Sequence, residues 1–209
     1  MKMKKERVLV AGAHGTTGKH LINLLVESST YEPIAMVRKE EQKTFFEDQG
    51  IETVYGDLTE DINNTVKNAD KVIFAAGSKG KNLEAVDKNG AIKLIDASEN
   101  HGVDKFVMLS SMGADDPTKS EDLQDYLNAK KEADEYLQNS SLNYTIVRPG
   151  SLTNDDPKHQ IMLEETINSS GSIPRADVAK TLVGVLETSK RNKEHFDILS
   201  GNNPISEIL

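Results

Sequence analysis

Two stretches of the chain carry side chains at spacings that suit proton transfer beside a reduced cofactor. Leu109-Ser110-Ser111-Met112-Gly113 closes an apolar run, and Tyr126-Leu127-Asn128-Ala129-Lys130 follows within a helical pattern. Residues four apart share a helix face, so a phenol and an ammonium can point into one cleft. A nearby ammonium favours the phenolate and draws a tyrosine below its ordinary pKa of about 10. Such a tyrosine serves as general acid to a carbonyl oxygen that receives hydride from a reduced nicotinamide. A serine hydroxyl at the neighbouring strand end orients that oxygen. Ser111, Tyr126 and Lys130 are therefore the candidate catalytic residues, with Ser110 open as the alternative serine and Tyr136 as a competitor on the same helix. Tyr-x-x-x-Lys is common on amphipathic helices, so its weight comes from where it stands in the chain.

It stands behind a glycine turn. Gly12-Ala13-His14-Gly15-Thr16-Thr17-Gly18 follows the first apolar run and opens a helical pattern. The spacing G-x-x-G-x-x-G is a variant of the dinucleotide fingerprint: one glycine permits the tight turn, one the approach of backbone to a pyrophosphate, one close helix–strand packing. The helix N-terminus adds free N–H groups and a positive dipole end, and Thr16 or Thr17 can add a hydroxyl donor or a cap. His14 is read as a loop residue at the cofactor rather than a catalytic one. A phosphate-binding P-loop is disfavoured, because Gly18-Lys19 is followed by His20.

Three more strand ends complete the candidate cofactor site. Arg38 and Lys39 lie about 20 residues after the turn, where an NAD site carries an acidic residue and an NADP site an arginine. A guanidinium meets phosphate two-pronged, so Arg38 predicts NADP(H) over NAD(H). In Tyr55-Gly56-Asp57-Leu58, Asp57 either hydrogen-bonds the adenine amino group or caps a helix, with Leu58 beside it. Ala75-Ala76-Gly77 offers small residues against which a cofactor can lie.

The elements that must position these residues alternate. Strands are expected at Arg7–Ala11, Ile34–Val37, Thr53–Tyr55, Lys71–Ala76, Lys105–Ser110, Asn143–Arg148 and His195–Leu199. Helices are expected at Thr16–Glu27, Glu40–Gln49, Ile62–Asn68, Leu83–Asn100, Lys119–Gln138 and Arg175–Thr188. The strands are nearly continuous apolar runs, as in a parallel sheet covered on both faces. Strand–helix alternation then gives right-handed βαβ units. The expectation is an α/β fold with a Rossmann-type doubly wound parallel sheet, helices on both faces and a small C-terminal substrate region. Residues 1–209 are read as one domain, with 151–173 as an insertion over the sheet edge.

Composition narrows the function classes. The 209 residues carry 25 Lys and Arg against 34 Asp and Glu, a net charge of −9, which disfavours a general nucleic-acid binder. No apolar run approaches the roughly 20 residues of a membrane span, and the charged start lacks the apolar stretch of a signal peptide. The expected location is cytoplasmic. With no cysteine, thiol redox chemistry and thiolate metal sites are absent. The five histidines are scattered and no metal ligand set is expected. No G-x-S-x-G elbow is present for a hydrolase.

Taken together, the glycine turn, the Ser-Ser strand end, Tyr126-x-x-x-Lys130, Tyr144-Thr145-Ile146-Val147-Arg148-Pro149-Gly150, Asp87-x-x-Gly90 and Arg175-Ala176-Asp177-Val178-Ala179 resemble the atypical short-chain dehydrogenase/reductases. The match is to the epimerase-like or NmrA-like branch near the flavin and biliverdin reductases, and it spans Val8 to Phe196. The resemblance implies a Rossmann fold binding NADP(H), with Pro149 and Gly150 beside the nicotinamide. Extended members place the third residue of the serine strand end in the catalytic position, and here it is Met112. Three functions follow as expectations. The first is an NADP(H)-dependent oxidoreductase reducing a small carbonyl, quinone or flavin-like acceptor. The second is an NmrA-like redox sensor that binds NADP(H) without turnover, and the third a sugar-nucleotide epimerase, which the short C-terminal region disfavours. The expected partner is a small-molecule acceptor, with no nucleic acid and no membrane, and the chain is expected as monomer or homodimer.

Overall fold

The run Val8-Leu9-Val10-Ala11 sends alternate side chains to opposite faces of a sheet, and both sets are fully buried. That double burial is why this strand sits at the centre. The computed structural model describes residues 4–78 and 80–209. Its strands are β1 (Glu6–Ala11), β2 (Tyr31–Val37), β3 (Glu52–Tyr55), β4 (Lys71–Phe74), β5 (Lys105–Leu109), β6 (Tyr144–Pro149), β7 (Ser151–Thr153), β8 (Gln160–Glu164), β9 (Ser172–Pro174), β10 (Glu194–Ser200) and β11 (Asn203–Pro204). The α-helices are α1 (Thr16–Glu27), α2 (Glu40–Glu47), α3 (Asn89–His101), α4 (Gln124–Gln138), α5 (Arg175–Gly184) and α6 (Ile205–Ile208).

Nine strands form the main sheet in the order β11-β8-β10-β6-β5-β4-β1-β2-β3. From β3 to β10 every pair is parallel, while β8 runs antiparallel to both β10 and β11. The order 3-2-1-4-5-6 is that of the Rossmann fold, and the chain reverses its direction of travel between β1 and β4. One face is covered by α1 and α5 through Leu21, Ile22, Leu25, Val178 and Leu182, with Phe46 of α2. The other is covered by α3 and α4 through Leu94, Ile95, Ala133 and Leu137 against Phe74 and Phe106. Truncating one of the buried leucines or isoleucines to alanine costs about 2–5 kcal/mol.

The structure departs from the sequence expectation in specific places. Residues 151–173 do not simply lie over the sheet edge: Ile161 is fully buried and β8 extends the main sheet beside β10, while β7 and β9 pair in a separate two-stranded sheet. The expected helix at Ile62–Asn68 is only a 3-10 turn, Asn63–Val66. Leu83–Lys88 forms a wider π-helical turn before α3 begins. Two 3-10 turns, Pro117–Lys119 and Glu121–Leu123, precede α4, since Pro117 and the extended Ser120 interrupt the helix. β4 stops at Phe74 rather than Ala76, because the sheet opens there and Ala75 and Ala76 turn into a cleft. α5 ends at Gly184, and the residues after it leave the helix with Val185 and Leu186 buried in the core.

At the N-terminal ends of the central strands, two lysines face each other as register partners, Lys71 on β4 and Lys105 on β5. Lys71 Nζ lies 3.2 Å from Glu6 Oε1 and donates to Thr188 Oγ1 at 3.2 Å. Lys105 is fully buried and donates to the Lys190 carbonyl at 2.9 Å and to Asn192 Oδ1. Burial, and secondarily the charge of Lys71, push Lys105 down to about 8, with Glu194 opposing. Between about pH 8 and its ordinary value the unfolded chain therefore holds the proton that the folded chain has lost, so this group makes stability rise with pH. Urea denaturation from pH 7.5 to 10.5 checks this: Lys105→Met is expected to flatten the rise relative to wild type, and an unchanged slope would contradict it.

Candidate active site

The C-terminal ends of the parallel strands open into a cleft of about 1020 Å³, at the upper end of the usual range for a small-molecule site. Its base is the glycine turn. Gly12 has φ +86° and its backbone crosses so close to β4 that a Cβ there would come within 2.7 Å of the Ala75 carbonyl and Ala76 Cα. Gly15 N–H donates to the Gly12 carbonyl at 2.9 Å, closing the turn. At Gly18 a Cβ would meet the Gly12 carbonyl oxygen at 2.1 Å, so this glycine allows α1 to seat against the turn and does not itself line the cleft. Gly15 is the N-cap of α1 and supplies no side-chain cap. The first-turn N–H groups thus have no side-chain acceptor from the cap and stand at the part of the cleft lined by Gly15, Thr16 and Thr17.

From the turn the cleft extends along β2. Arg38 lies at its wall, exposed and without an ion pair among the described residues. The adjacent carboxylates Glu41 and Glu40 are taken by Lys39 at 3.5 Å and Lys43 at 3.6 Å. His14 packs edge-on to Phe45 at 5.3 Å and Phe46 at 6.1 Å. Burial, reinforced by Lys19 and opposed by Glu41, lowers its imidazole from the ordinary value, so its contribution is an aromatic edge. Met36, Gly56 and Leu58 complete this wall. Asp57 turns away: it accepts from Thr59 N–H at 2.9 Å and Thr59 Oγ1 at 2.8 Å, which hold its carboxyl below the usual range. It caps no helix, since the next helical turn begins after Ile62; its carboxylate closes a local turn with Thr59 instead.

On the other side of β1, Ala75, Ala76 and Gly77 lead to Leu109, Ser110, Tyr126 and Lys130. Lys130 is buried. Its Nζ lies 3.8 Å from Asp87 Oδ1, donates to the Leu109 carbonyl at 3.4 Å, and sits 5.8 Å from the Tyr126 ring and 5.9 Å from that of Phe74. The ammonium is therefore shared with a carboxylate the sequence reading did not place there. Asp87 is 1% exposed. Its Oδ2 accepts from Ser78 N–H at 3.0 Å and its Oδ1 has no hydrogen-bond partner among the described residues.

Ser110, not Ser111, lines the cleft. Its Oγ donates to Asp134 Oδ2 at 2.9 Å, and Arg148 Nε donates to the same oxygen at 2.9 Å. All three side chains are buried. Desolvation raises the Asp134 carboxyl above its usual value against the pull of Arg148, Ser110 and Lys130. Ser111 Oγ instead contacts the Met112 carbonyl at 3.3 Å. Pro149 ends β6, and a Cβ on Gly150 would strike Leu199 and the Gly171 carbonyl. Neither borders the cleft, and the arginine of their motif is spent on Asp134. The far wall comes from Leu152, Asn154 and Arg175.

Asp134 was missed although its signal was available. Tyr126, Lys130 and Asp134 follow one another at four-residue steps along α4, so the spacing that selects the first two selects the third. Asp87 lay within a motif carried by the resemblance, but nothing in its spacing marks it as facing Lys130. Among the described residues no group of three or more His, Asp or Glu is placed to hold a metal ion, and no helix is long and apolar enough to cross a membrane.

Comparison with known proteins identifies the family. Residues 12–189 match the family described as NAD(P)H-binding. An uncharacterised sugar epimerase of Bacillus subtilis, YhfK, is 37% identical over 97% of this chain and 98% of its own length. A Bacillus halodurans structure provisionally described as an NAD-dependent epimerase/dehydratase is 36% identical with a TM-score of 0.93, covering 97% of this chain and 98% of that one. The Lactococcus lactis oxidoreductase ylbE is 29% identical with a TM-score of 0.85, over 96% and 94%. The glycine cradle, the uncapped α1 terminus and the free guanidinium at β2 fit the group that this family binds. The chain belongs to the NAD(P)H-binding family, with the architecture of the atypical short-chain dehydrogenase/reductases that its sequence resembles.

Proposed function

We propose that the protein is an NADP(H)-dependent reductase of a small carbonyl, quinone or flavin-like acceptor. The observation that carries this reading is the single cleft running from a free guanidinium at β2, past the glycine turn, to Ser110, Tyr126 and Lys130 at β5 and α4. Gly12, Gly15, Thr16 and Thr17 hold the pyrophosphate, Arg38 the 2′-phosphate, and Ala75, Ala76 and Gly77 give a flat path between the two halves. Lacking a carboxylate free to accept a ribose 2′-hydroxyl, the β2 end favours NADP(H). When bound, the reduced nicotinamide supplies hydride to the acceptor.

The chain supplies the proton and the orientation. Tyr126 is half-buried at the cleft wall with no hydrogen-bond partner for its hydroxyl among the described residues, which leaves it available to donate to the acceptor oxygen. Lys130, held by Asp87, keeps positive charge behind it. Ser110 has its own proton committed to Asp134. That bond fixes the Ser110 hydroxyl at the cleft wall, where it can orient the acceptor oxygen. Ser110 thus takes the role first considered for Ser111.

Two of the relatives carry epimerase descriptions and one is described as an oxidoreductase, so an epimerase is an alternative outcome of the same assay. Titration of cofactor fluorescence is expected to give NADPH binding at least about tenfold tighter than NADH, with Arg38→Ala losing most of that preference. Tighter NADH binding by wild type contradicts the assignment. With NADPH and a panel of aldehydes, quinones and flavins, Tyr126→Phe is expected to lower kcat by about a hundredfold, whereas an unchanged kcat removes Tyr126 as donor. A wild-type protein that reduces no acceptor, yet binds oxidised and reduced cofactor unequally, is the sensor. Turnover of a nucleotide sugar without net NADPH loss is the epimerase.

A further inference from the structure

The cleft is unusually positive for so acidic a chain. Arg38, Lys81, Lys130 and Arg175 line it, against one carboxylate, Asp87, which Lys130 already faces. The cofactor accounts for Arg38, and the α1 terminus for the pyrophosphate. Lys81, exposed, and Arg175, half-buried, are left over, and Arg175 is the one held in place by hydrogen bonds. It starts α5 directly after β9 and reaches the wall formed beyond the end of β6, on the acceptor side of β5, across the sheet order from Arg38.

Its hydrogen bonds are one-sided. Nη1 donates to the Leu152 carbonyl at 3.2 Å and to Asn154 Oδ1 at 2.8 Å, both neutral oxygens. Nη2 and Nε have no partner, and the side chain makes no ion pair, among the described residues. Leu152 and Asn154 therefore fix the guanidinium by one nitrogen and leave its Nη2–Nε edge, the geometry that receives a carboxylate two-pronged. A half-buried guanidinium with only neutral partners retains its full charge toward the cleft.

Resting on the reductase reading, we infer that the acceptor is a carbonyl or quinone bearing a carboxylate, that Arg175 binds this carboxylate, and that Asn154 positions the guanidinium. In the aldehyde case the carbonyl carbon gains hydride from NADPH, its oxygen gains one proton, and alcohol and NADP⁺ are the products. The carboxylate is not changed; it sets which end of the acceptor faces β5.

Two probes differ only in this charge, 4-carboxybenzaldehyde and methyl 4-formylbenzoate. Binding to the NADP⁺-loaded protein is measured by calorimetry, which needs no turnover, and reduction with NADPH is measured in parallel. Wild type is expected to bind the acid at least about tenfold tighter than the ester. Arg175→Gln is expected to abolish that ratio, and Arg175→Lys, which keeps charge but not the fork, to give an intermediate one. The same variants are titrated with NADPH to show that their folded cofactor site is retained. Preferential acid binding without reduction of either probe upholds the carboxylate site and sinks the reductase reading. Reduction of both probes with equal affinity does the reverse. Failure of the acid to bind, or loss of NADPH affinity in step with loss of the acid, overturns the assignment of Arg175.

Discussion

Everything at the site depends on how closely two backbones pass at the point where the sheet reverses its order. Gly12 leaves β1 against the Ala75–Ala76 peptide with no room for a Cβ, and its carbonyl is packed upon by Gly18. This contact brings the α1 terminus to the mouth of the cleft and keeps β4 from continuing beyond Phe74. Any side chain at Gly12 or Gly18 must push α1 or β4 away, and the surface meant for phosphates moves with it. The acidic character of the chain makes this economy necessary: the cofactor is a polyanion, and backbone N–H groups supply attraction without adding lysines.

A second constraint lies behind the reacting end. Two buried carboxylates, Asp87 and Asp134, each keep one oxygen without a hydrogen-bond partner among the described residues. Both are 1% exposed; Asp87 pairs with Lys130 and Asp134 with Arg148. Leaving a buried acceptor unsatisfied costs about 1–3 kcal/mol, so the fold pays at two points adjoining the cleft. The pattern makes sense for groups that take part in moving or holding a proton, because a fully bonded carboxylate has no freedom to do either. Removing Arg148 would leave Asp134 as an uncompensated buried charge and release Ser110 from its position.

Sequence reading recovers the sheet, the turn and the family because these rest on local rules: period-two and period-3.6 patterns, glycines where backbone must approach backbone, and strand–helix alternation. The seven expected strands all appear in the sheet with bounds shifted by up to three residues, and α1 matches its expected bounds. Residues 151–173 were not legible, because β8 reaches β10 only across the long connection through α5, and a short apolar run does not reveal its pairing partner. The same limit separates the site residues. Gly12, Thr16 and Arg38 are placed by their positions along the chain, whereas the choice of Ser110 over Ser111 depends on Asp134 and Arg148, which come from two other elements. The family resemblance implies Pro149 and Gly150 beside the nicotinamide; in the structure the preceding Arg148 is buried on Asp134 and Gly150 packs against Gly171 and Leu199.

Hydrogen–deuterium exchange with and without NADPH tests the central claim most directly, since it reads the backbone that is meant to carry the cofactor. The account predicts slowed exchange at the first-turn amides of Thr16 and Thr17 and along Ala75–Gly77, with Asn203–Ile208 at the opposite sheet edge unchanged. Binding of NADPH with no protection at the glycine turn would contradict it.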